Sequence, residues 1–195
     1  QTAETCNEYN MLKLSRELFK ITQDVKYANY YENTFINTIV SSQNPDTGMT
    51  TYFQAMAPGY FKVYGAPFTE FWCCIGTGME NFSKLSDSLY FASGSEVWVN
   101  MFFSSQYDHE ATGMRVTQTA SMPNDDTVTF AISALGSDPI AADAKLRLRV
   151  PDWIAGDPTV TVNGSAITPT VRGGYIVLSG LTDGDEISYT MPKIG

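Results

Sequence analysis

The sequence predicts a multidomain α plus β protein, helical over residues 1–90 and a β-sandwich over residues 91–195. Three observations predict it. Apolar residues recur at helical spacing in the first part. Short runs rich in β-branched and aromatic residues fill the second. Turn signals separate those runs at close intervals, and no helical pattern interrupts them.

The first helix is expected from about Thr5 to Thr22, with Leu14, Leu18 and Ile21 in an apolar stripe and Met11 and Leu12 beside it. Asp24 suits the N-cap of a second helix, because its carboxylate can accept from an otherwise unpaired backbone N–H. Tyr27, Ala28, Tyr31, Phe35 and Ile39 would form the apolar face of that helix. Asn44-Pro45-Asp46-Thr47-Gly48 is a turn and Thr50 to Phe53 a short extended segment. A third helix is expected from about Gly78 to Leu89. Three helices and their loops enclose little core, yet Tyr30, Tyr52, Tyr60, Phe61, Phe68, Phe71 and Trp72 crowd this part. More protein is therefore expected to cover them, as a missing N-terminal region or a partner subunit.

Val97 to Phe102, preceded by the turn Ser93-Gly94-Ser95, is the strongest strand signal. Further strands are expected at Met114 to Thr119, Val128 to Ser133, Leu146 to Val150, Val160 to Val162, Tyr175 to Leu178 and Glu186 to Met191. Asn163-Gly164 is a hairpin turn, since both residues tolerate positive φ.

The chain has 195 residues, 43% hydrophobic and 17% charged, which suits one large or two small globular domains. A net charge of −9 argues against a nucleic-acid partner, because phosphates need a basic face. It is compatible with a neutral ligand such as a sugar, and equally with a plain acidic surface. No run approaches the roughly 18 apolar residues of a membrane-spanning helix. The chain opens on Gln1-Thr2-Ala3, with neither a Met nor a signal-peptide pattern, which an artificial boundary, a cleavage or a missing upstream region would each explain.

Cys6, Cys73 and Cys74 make an odd count, which excludes a fully paired disulfide framework. They are either buried free thiols or part of a thiolate metal site. With Glu4 they offer three sulfurs and one carboxylate, a donor set that can surround a tetrahedral zinc ion, although the spacing matches no zinc finger. Gly76-Thr77-Gly78 follows Cys73 and Cys74 at the expected helix start. Free amides and the helix dipole there favour a thiolate and could prepare Cys73 or Cys74 as a nucleophile. The same glycines could simply allow close packing. Glu8, Glu70 and Glu80 are further carboxylates near the cysteines, and Asn7 and Asn81 could bond a sugar or serve helix ends. His109 is the sole histidine. It reads as an exposed loop residue, and only a reach between domains would pair it with a cysteine.

These motifs resemble a known family. Glu4-Thr5-Cys6-Asn7-Glu8-Tyr9-Asn10-Met11-Leu12-Lys13-Leu14 resembles one of its segments. Lys62-Val63-Tyr64-Gly65 and Phe71-Trp72-Cys73-Cys74-Ile75-Gly76-Thr77-Gly78-Met79-Glu80-Asn81 resemble a second. Leu146-Arg147-Leu148-Arg149-Val150-Pro151-Asp152-Trp153 and Val162-Asn163-Gly164 resemble its β-domain more loosely. The family is that of glycoside hydrolases 127 and 146, the β-L-arabinofuranosidase type, and the likeness covers nearly the whole chain.

The resemblance implies the last helices of an (α/α)6 six-hairpin barrel followed by β-sandwich domains. It implies zinc on Glu4, Cys6, Cys73 and Cys74, with Cys73 as nucleophile of a retaining mechanism through a thioglycosyl intermediate. Tyr52 aligns with an active-site tyrosine. The substrate it implies is an arabinofuranose-containing oligosaccharide. The family's acid/base glutamate lies upstream of the Glu-x-Cys motif, and Glu4 is only the fourth residue of this chain. Since a retaining hydrolase needs that acid, the isolated chain is expected to have little or no activity. Two other readings stand beside this one: a non-catalytic carbohydrate-binding or structural module with a zinc clasp, and a cysteine hydrolase of another class, which the lone His109 disfavours. Reduced thiols suit a cytoplasm, and zinc-bound thiolates also persist in a periplasm or outside the cell.

Overall fold

A computed structural model describes residues 2–193. Its contacts divide the chain into two units, Gln1–Asp87 and Ser88–Gly195.

The first unit opens on strand β1 (Thr2–Glu4), which pairs antiparallel with β2 (Phe53–Ala55), Glu4 facing Phe53. Helix α1 (Thr5–Thr22) starts directly after β1 and ends at Gln23, whose left-handed backbone returns its N–H to the Phe19 carbonyl. Its buried face is Thr5, Tyr9, Leu12, Ser15 and Phe19, spaced by three and four residues. Leu14 and Ile21, part of the apolar stripe that marks the helix in the sequence, are exposed. Apolar residues lie on two sides of this helix, so periodicity identifies a helix without saying which side packs. Helix α2 (Val25–Thr34) is capped by Asp24, which accepts from the Lys26 N–H at 3.0 Å. A π-helical turn (Phe35–Ile39) and a 3-10 turn (Val40–Ser42) follow, and Ala28, Phe35 and Ile39 point inward. Helix α3 (Cys73–Ser83) begins five residues before the sequence-based expectation and runs through Gly76 and Gly78. Glycine costs only about 1 kcal/mol within a helix, and here it did not mark an end.

The second unit holds β3 (Tyr90–Ser93), β4 (Glu96–Val99), β5 (Ser105–His109), β6 (Met114–Ala120), β7 (Thr127–Ala134) and β8 (Lys145–Arg149). Then come β9 (Thr159–Val162), β10 (Ser165–Ile167), β11 (Val171–Arg172), β12 (Tyr175–Ser179) and β13 (Glu186–Thr190). They form a six-stranded sheet in the order β10-β9-β13-β7-β6-β5 and a five-stranded sheet in the order β11-β12-β8-β4-β3. Every ladder is antiparallel except β4–β8, which is parallel. Asn163 (φ 51°) and Gly164 (φ 76°) form the tight turn between β9 and β10.

Alternation selects one face of each strand. Val128, Phe130 and Ile132 of β7 and Met114 and Val116 of β6 share one core with Leu146 and Leu148 of β8 and Ile176 and Leu178 of β12. Each such side chain, fully buried, contributes about 1.5–3 kcal/mol. Arg149 is buried too. Its Nε donates to the Asn100 carbonyl at 2.7 Å, Tyr175 Oη donates to Asn100 Oδ1 at 2.8 Å, and Tyr189 Oη donates to the Arg149 carbonyl at 2.9 Å. The outward Arg147 instead pairs with Glu96 at 2.5 Å over the Trp98 ring. His109 is buried rather than exposed. It ends β5 opposite Met114, where the pleat turns its ring inward and Nδ1 shares a 2.8 Å hydrogen bond with Thr112 Oγ1.

Candidate metal centre

The first turns of α1 and α3 meet at their N-terminal ends. Glu4 occupies the N-cap position of α1 in an extended conformation, and its carboxylate makes no capping bond. It lies instead 3.5 Å from Cys6 Sγ. Trp72 likewise precedes α3 without a side-chain cap, so Cys73 and Cys74 occupy its first two positions. Cys6 Sγ and Cys73 Sγ are 3.5 Å apart, and Cys73 Sγ and Cys74 Sγ 4.0 Å. Ligand atoms of Glu4, Cys6, Cys73 and Cys74 all fall within 4.8 Å of one another. Cys74 is buried, Glu4 and Cys6 half-buried, and Cys73 exposed. A tetrahedral ion with metal–sulfur bonds near 2.3 Å would hold its sulfurs about 3.8 Å apart. The cluster is thus close to the size of a four-coordinate site: Cys6 and Cys73 would part by a few tenths of an ångström and the wider pairs would draw in.

Its electrostatics point the same way. Two helix N-termini present free N–H groups and positive dipole ends to the sulfurs, which favours negative charge there. Hydrogen bonding from Cys6 and then from Tyr52 draws the Cys73 thiol below its ordinary pKa. Burial, and next the hydrogen bond to Cys73, pushes Cys6 up to about 12. The hydrogen bond to Cys73 lifts the Tyr52 phenol to about 12 as well. Cys73 is therefore the sulfur that ionises more readily than usual, while Cys6 and Tyr52 resist ionisation. A cation would be needed before the thiols could ionise together.

Tyr52 Oη lies 3.7 Å from Cys73 Sγ, and the Tyr52 ring meets Trp72 edge-on at 5.4 Å. Both rings line a 580 Å³ cleft with Phe53, Ala55, Tyr60, Phe61 and Val63. Gly78 is packed so closely that an added Cβ would sit 3.0 Å from the Thr50 side chain, whereas Gly76 has open space. Close packing therefore explains one glycine of the Gly76-Thr77-Gly78 motif and not the other. Thr77 Oγ1 donates back to the Cys73 carbonyl at 3.1 Å, and Asn10 Nδ2 to the Cys6 carbonyl at 2.9 Å.

The remaining candidates lie elsewhere. Glu8 accepts from Tyr30 Oη at 3.1 Å and Glu70 from the Ala66 N–H at 2.8 Å. Glu80 is exposed on α3, Asn7 is exposed on α1, and Asn81 is buried on α3. His109 belongs to the other unit, where Thr112 engages it. Sequence reasoning missed Thr51, a buried residue that reaches toward Thr5 and Gln54. Its short polar surroundings carry no periodicity that would have flagged it.

Comparison with known proteins covers both units. Residues 1–87 match the family model described as the β-L-arabinofuranosidase GH127 catalytic domain, and residues 96–193 match the GH127 middle domain. A curated non-reducing end β-L-arabinofuranosidase of Bifidobacterium longum subsp. longum is 23% identical, with 90% of this chain and 28% of that protein covered. A crystal structure of a GH127 β-L-arabinofuranosidase from Geobacillus stearothermophilus T6 aligns with a TM-score of 0.84 at 21% identity, over 98% of this chain and 32% of that one. A second GH127 β-arabinofuranosidase structure aligns with a TM-score of 0.82 at 20% identity, over 100% of this chain and 33% of that one. The chain spans about a third of the length of these relatives.

Proposed function

This chain belongs to glycoside hydrolase family 127, and from that premise we propose that it carries the nucleophile and metal site of a retaining hydrolase that releases L-arabinofuranose from oligosaccharides. In this reading residues 1–90 are the closing helices of an (α/α)6 barrel and residues 91–195 a β-sandwich. The single observation that carries the proposal is the cluster of three sulfurs and one carboxylate, with its lowered thiol pKa on the one exposed sulfur, Cys73.

The donor set is soft and compact, which suits zinc better than the hard cations that prefer oxygen. Bound there by Glu4, Cys6, Cys73 and Cys74, zinc would keep the thiols ionised and make the Cys73 sulfur a better leaving group. The chain's own residues then divide the work. Cys73 Sγ attacks the anomeric carbon, forming a carbon–sulfur bond as the glycosidic oxygen departs. Water later displaces the sulfur from the opposite side, giving its proton to the group that had protonated the departing oxygen, so two inversions retain configuration. Tyr52 Oη sits 3.7 Å from Cys73 Sγ, within reach to donate once that sulfur is ionised, and with Trp72 walls the apolar side of the site. The departing oxygen needs a proton, and this reading assigns the donor to the length of the relatives that the chain does not span.

The test is an arabinofuranose-configured cyclophellitol-type probe applied to the gene product that contains these residues. Intact mass should rise by one probe, peptide mapping should locate it on Cys73, and Cys73→Ala should abolish it. A protein that binds zinc through the four residues yet takes no label would instead be a structural clasp. Turnover of an aryl arabinofuranoside by the 195-residue chain alone would overturn the assignment of the acid to the remaining length.

A further inference from the structure

We infer that Thr51 is a positioning residue, the point at which the two halves of the Glu4/Cys6/Cys73/Cys74 cluster are held in register. The inference rests on the metal reading above and concerns how the fold builds that site.

The cluster draws its donors from two stretches 67 residues apart, and a four-coordinate site tolerates little misplacement of either. Residues 50–52 touch both. Thr51 is fully buried. Its N–H donates to the Ser42 carbonyl at 3.0 Å, and its carbonyl faces Thr5 Oγ1 at 3.5 Å. Thr5 stands between the two donors Glu4 and Cys6. The Thr51 hydroxyl accepts from Gln54 Nε2 at 3.1 Å, and that amide also donates to the Thr38 carbonyl in the π-helical turn at 3.2 Å. Gln54 in turn pairs with Ala3, next to Glu4. On the other side, Thr50 fills the notch at Gly78, one helical turn beyond Cys74. Tyr52 completes the set by reaching Cys73 Sγ. Thr51 thus meets the helix bearing Cys6 through its own carbonyl, its neighbours Thr50 and Tyr52 both contact the helix bearing Cys73 and Cys74, and its hydroxyl ties the segment to Gln54.

The alternative is that Thr51 only supports the fold, and two pairs of variants separate these roles. Thr51→Val removes the hydroxyl at nearly constant volume, and Thr51→Ser restores it. Gly78→Ala drives a methyl into Thr50, while Gly76→Ala adds one to the same helix where there is room. Each purified protein is titrated with Zn²⁺ against a chromophoric chelator and loaded with Co²⁺ for its thiolate charge-transfer and ligand-field bands. Groups that hydrogen-bond a ligand directly change metal affinity by about tenfold to a hundredfold, and since Thr51 and Gly78 touch no donor atom the low end, about tenfold, is the factor expected here. Thr51→Val and Gly78→Ala should weaken zinc by that factor and shift the cobalt bands, whereas Thr51→Ser and Gly76→Ala should match wild type. A Thr51→Val protein with wild-type affinity and bands overturns the inference while leaving the metal reading intact. If Thr51→Val does not fold by circular dichroism, the glycine pair decides, and equal behaviour of Gly78→Ala and Gly76→Ala overturns it. Wild-type protein that takes up no cobalt overturns the metal reading and the registration with it.

Discussion

The two units spend similar kinds of residue in opposite ways. In Ser88–Gly195 both sheets turn their apolar alternation into one shared core, and the large exposed apolar side chains described there are Phe103 and Val171. In Gln1–Asp87 only a thin set from Tyr9 to Ile39 is buried with Cys74, while Phe53, Tyr60, Phe61, Val63, Phe68, Phe71 and Trp72 remain open. The first unit converges on polar donors and the second on hydrocarbon. Stability in the second should follow packing, and order in the first should follow whatever binds the donors.

The largest test of that contrast is truncation of aromatic side chains. Phe130→Ala in the second unit should cost about 3–5 kcal/mol, the usual loss for a buried phenylalanine, read from urea unfolding. Phe61→Ala and Phe68→Ala, both more than four-fifths exposed, should stay within about 0.5 kcal/mol of the parent. Equal losses in the two units would erase the distinction.

Metal removal should reverse the asymmetry. A ligand present at a hundred times its dissociation constant stabilises the folded form by about 2.7 kcal/mol. On the proposed metal reading, adding zinc should slow amide exchange around Glu4 to Cys6 and Cys73 to Gly78, a strong chelator should reverse that, and peptides from β6, β7 and β8 should stay unchanged. Faster exchange throughout the strands would show that the units do not respond separately.

A smaller effect tests the turn chemistry of the second unit. Gly164 sits at φ 76°, where a side chain strains the backbone. Gly164→Ala should lower stability by about 1–2 kcal/mol, measured by thermal unfolding, because the β9–β10 hairpin depends on that conformation. An unchanged melting temperature would mean the hairpin contributes nothing to the cooperative core.

The same contrast explains what could be read in advance. The bounds of α1 and the inward faces of β7 and β8 follow from strong local periodicity, and each is self-contained. The buried side of α1 was misread because its two apolar stripes differ in what meets them, not in composition. The start of α3, five residues before the expected Gly78, is not legible because no capping side chain precedes Cys73 to mark it. The parallel β4–β8 ladder joins residues 49 apart in sequence, and no local signal encodes it. The four donors stand out by their chemistry, since three sulfurs and a carboxylate suit zinc, while their spacing gives no zinc pattern and their roles come from resemblance; that they meet joins residues 67 apart, which no local signal encodes.

The mildest prediction concerns His109, the residue whose burial the sequence did not reveal. Desolvation holds its imidazole below the ordinary value near 6.5, because the charged ring would lose water inside the second unit. As pH falls below that value, the unfolded chain takes up a proton that the folded chain resists. The unfolded state then binds more protons, so stability is full above about pH 6.5 and declines as pH drops toward the depressed folded value. Glu96 and Asp185, both lowered in the fold, add losses of the same sign only below about pH 4.5, the ordinary carboxylate range. Between pH 7.5 and pH 5 these carboxylates stay ionised, and because the Cys73 thiol is also lowered, the difference between wild type and a His109 variant, read as urea midpoints, isolates the histidine. Wild type should lose stability across that window, and His109→Asn, which keeps a polar group beside Thr112 without a titrating ring, should lose less. Identical slopes for the two proteins would place the acid sensitivity elsewhere, and the buried ring would then matter for packing alone.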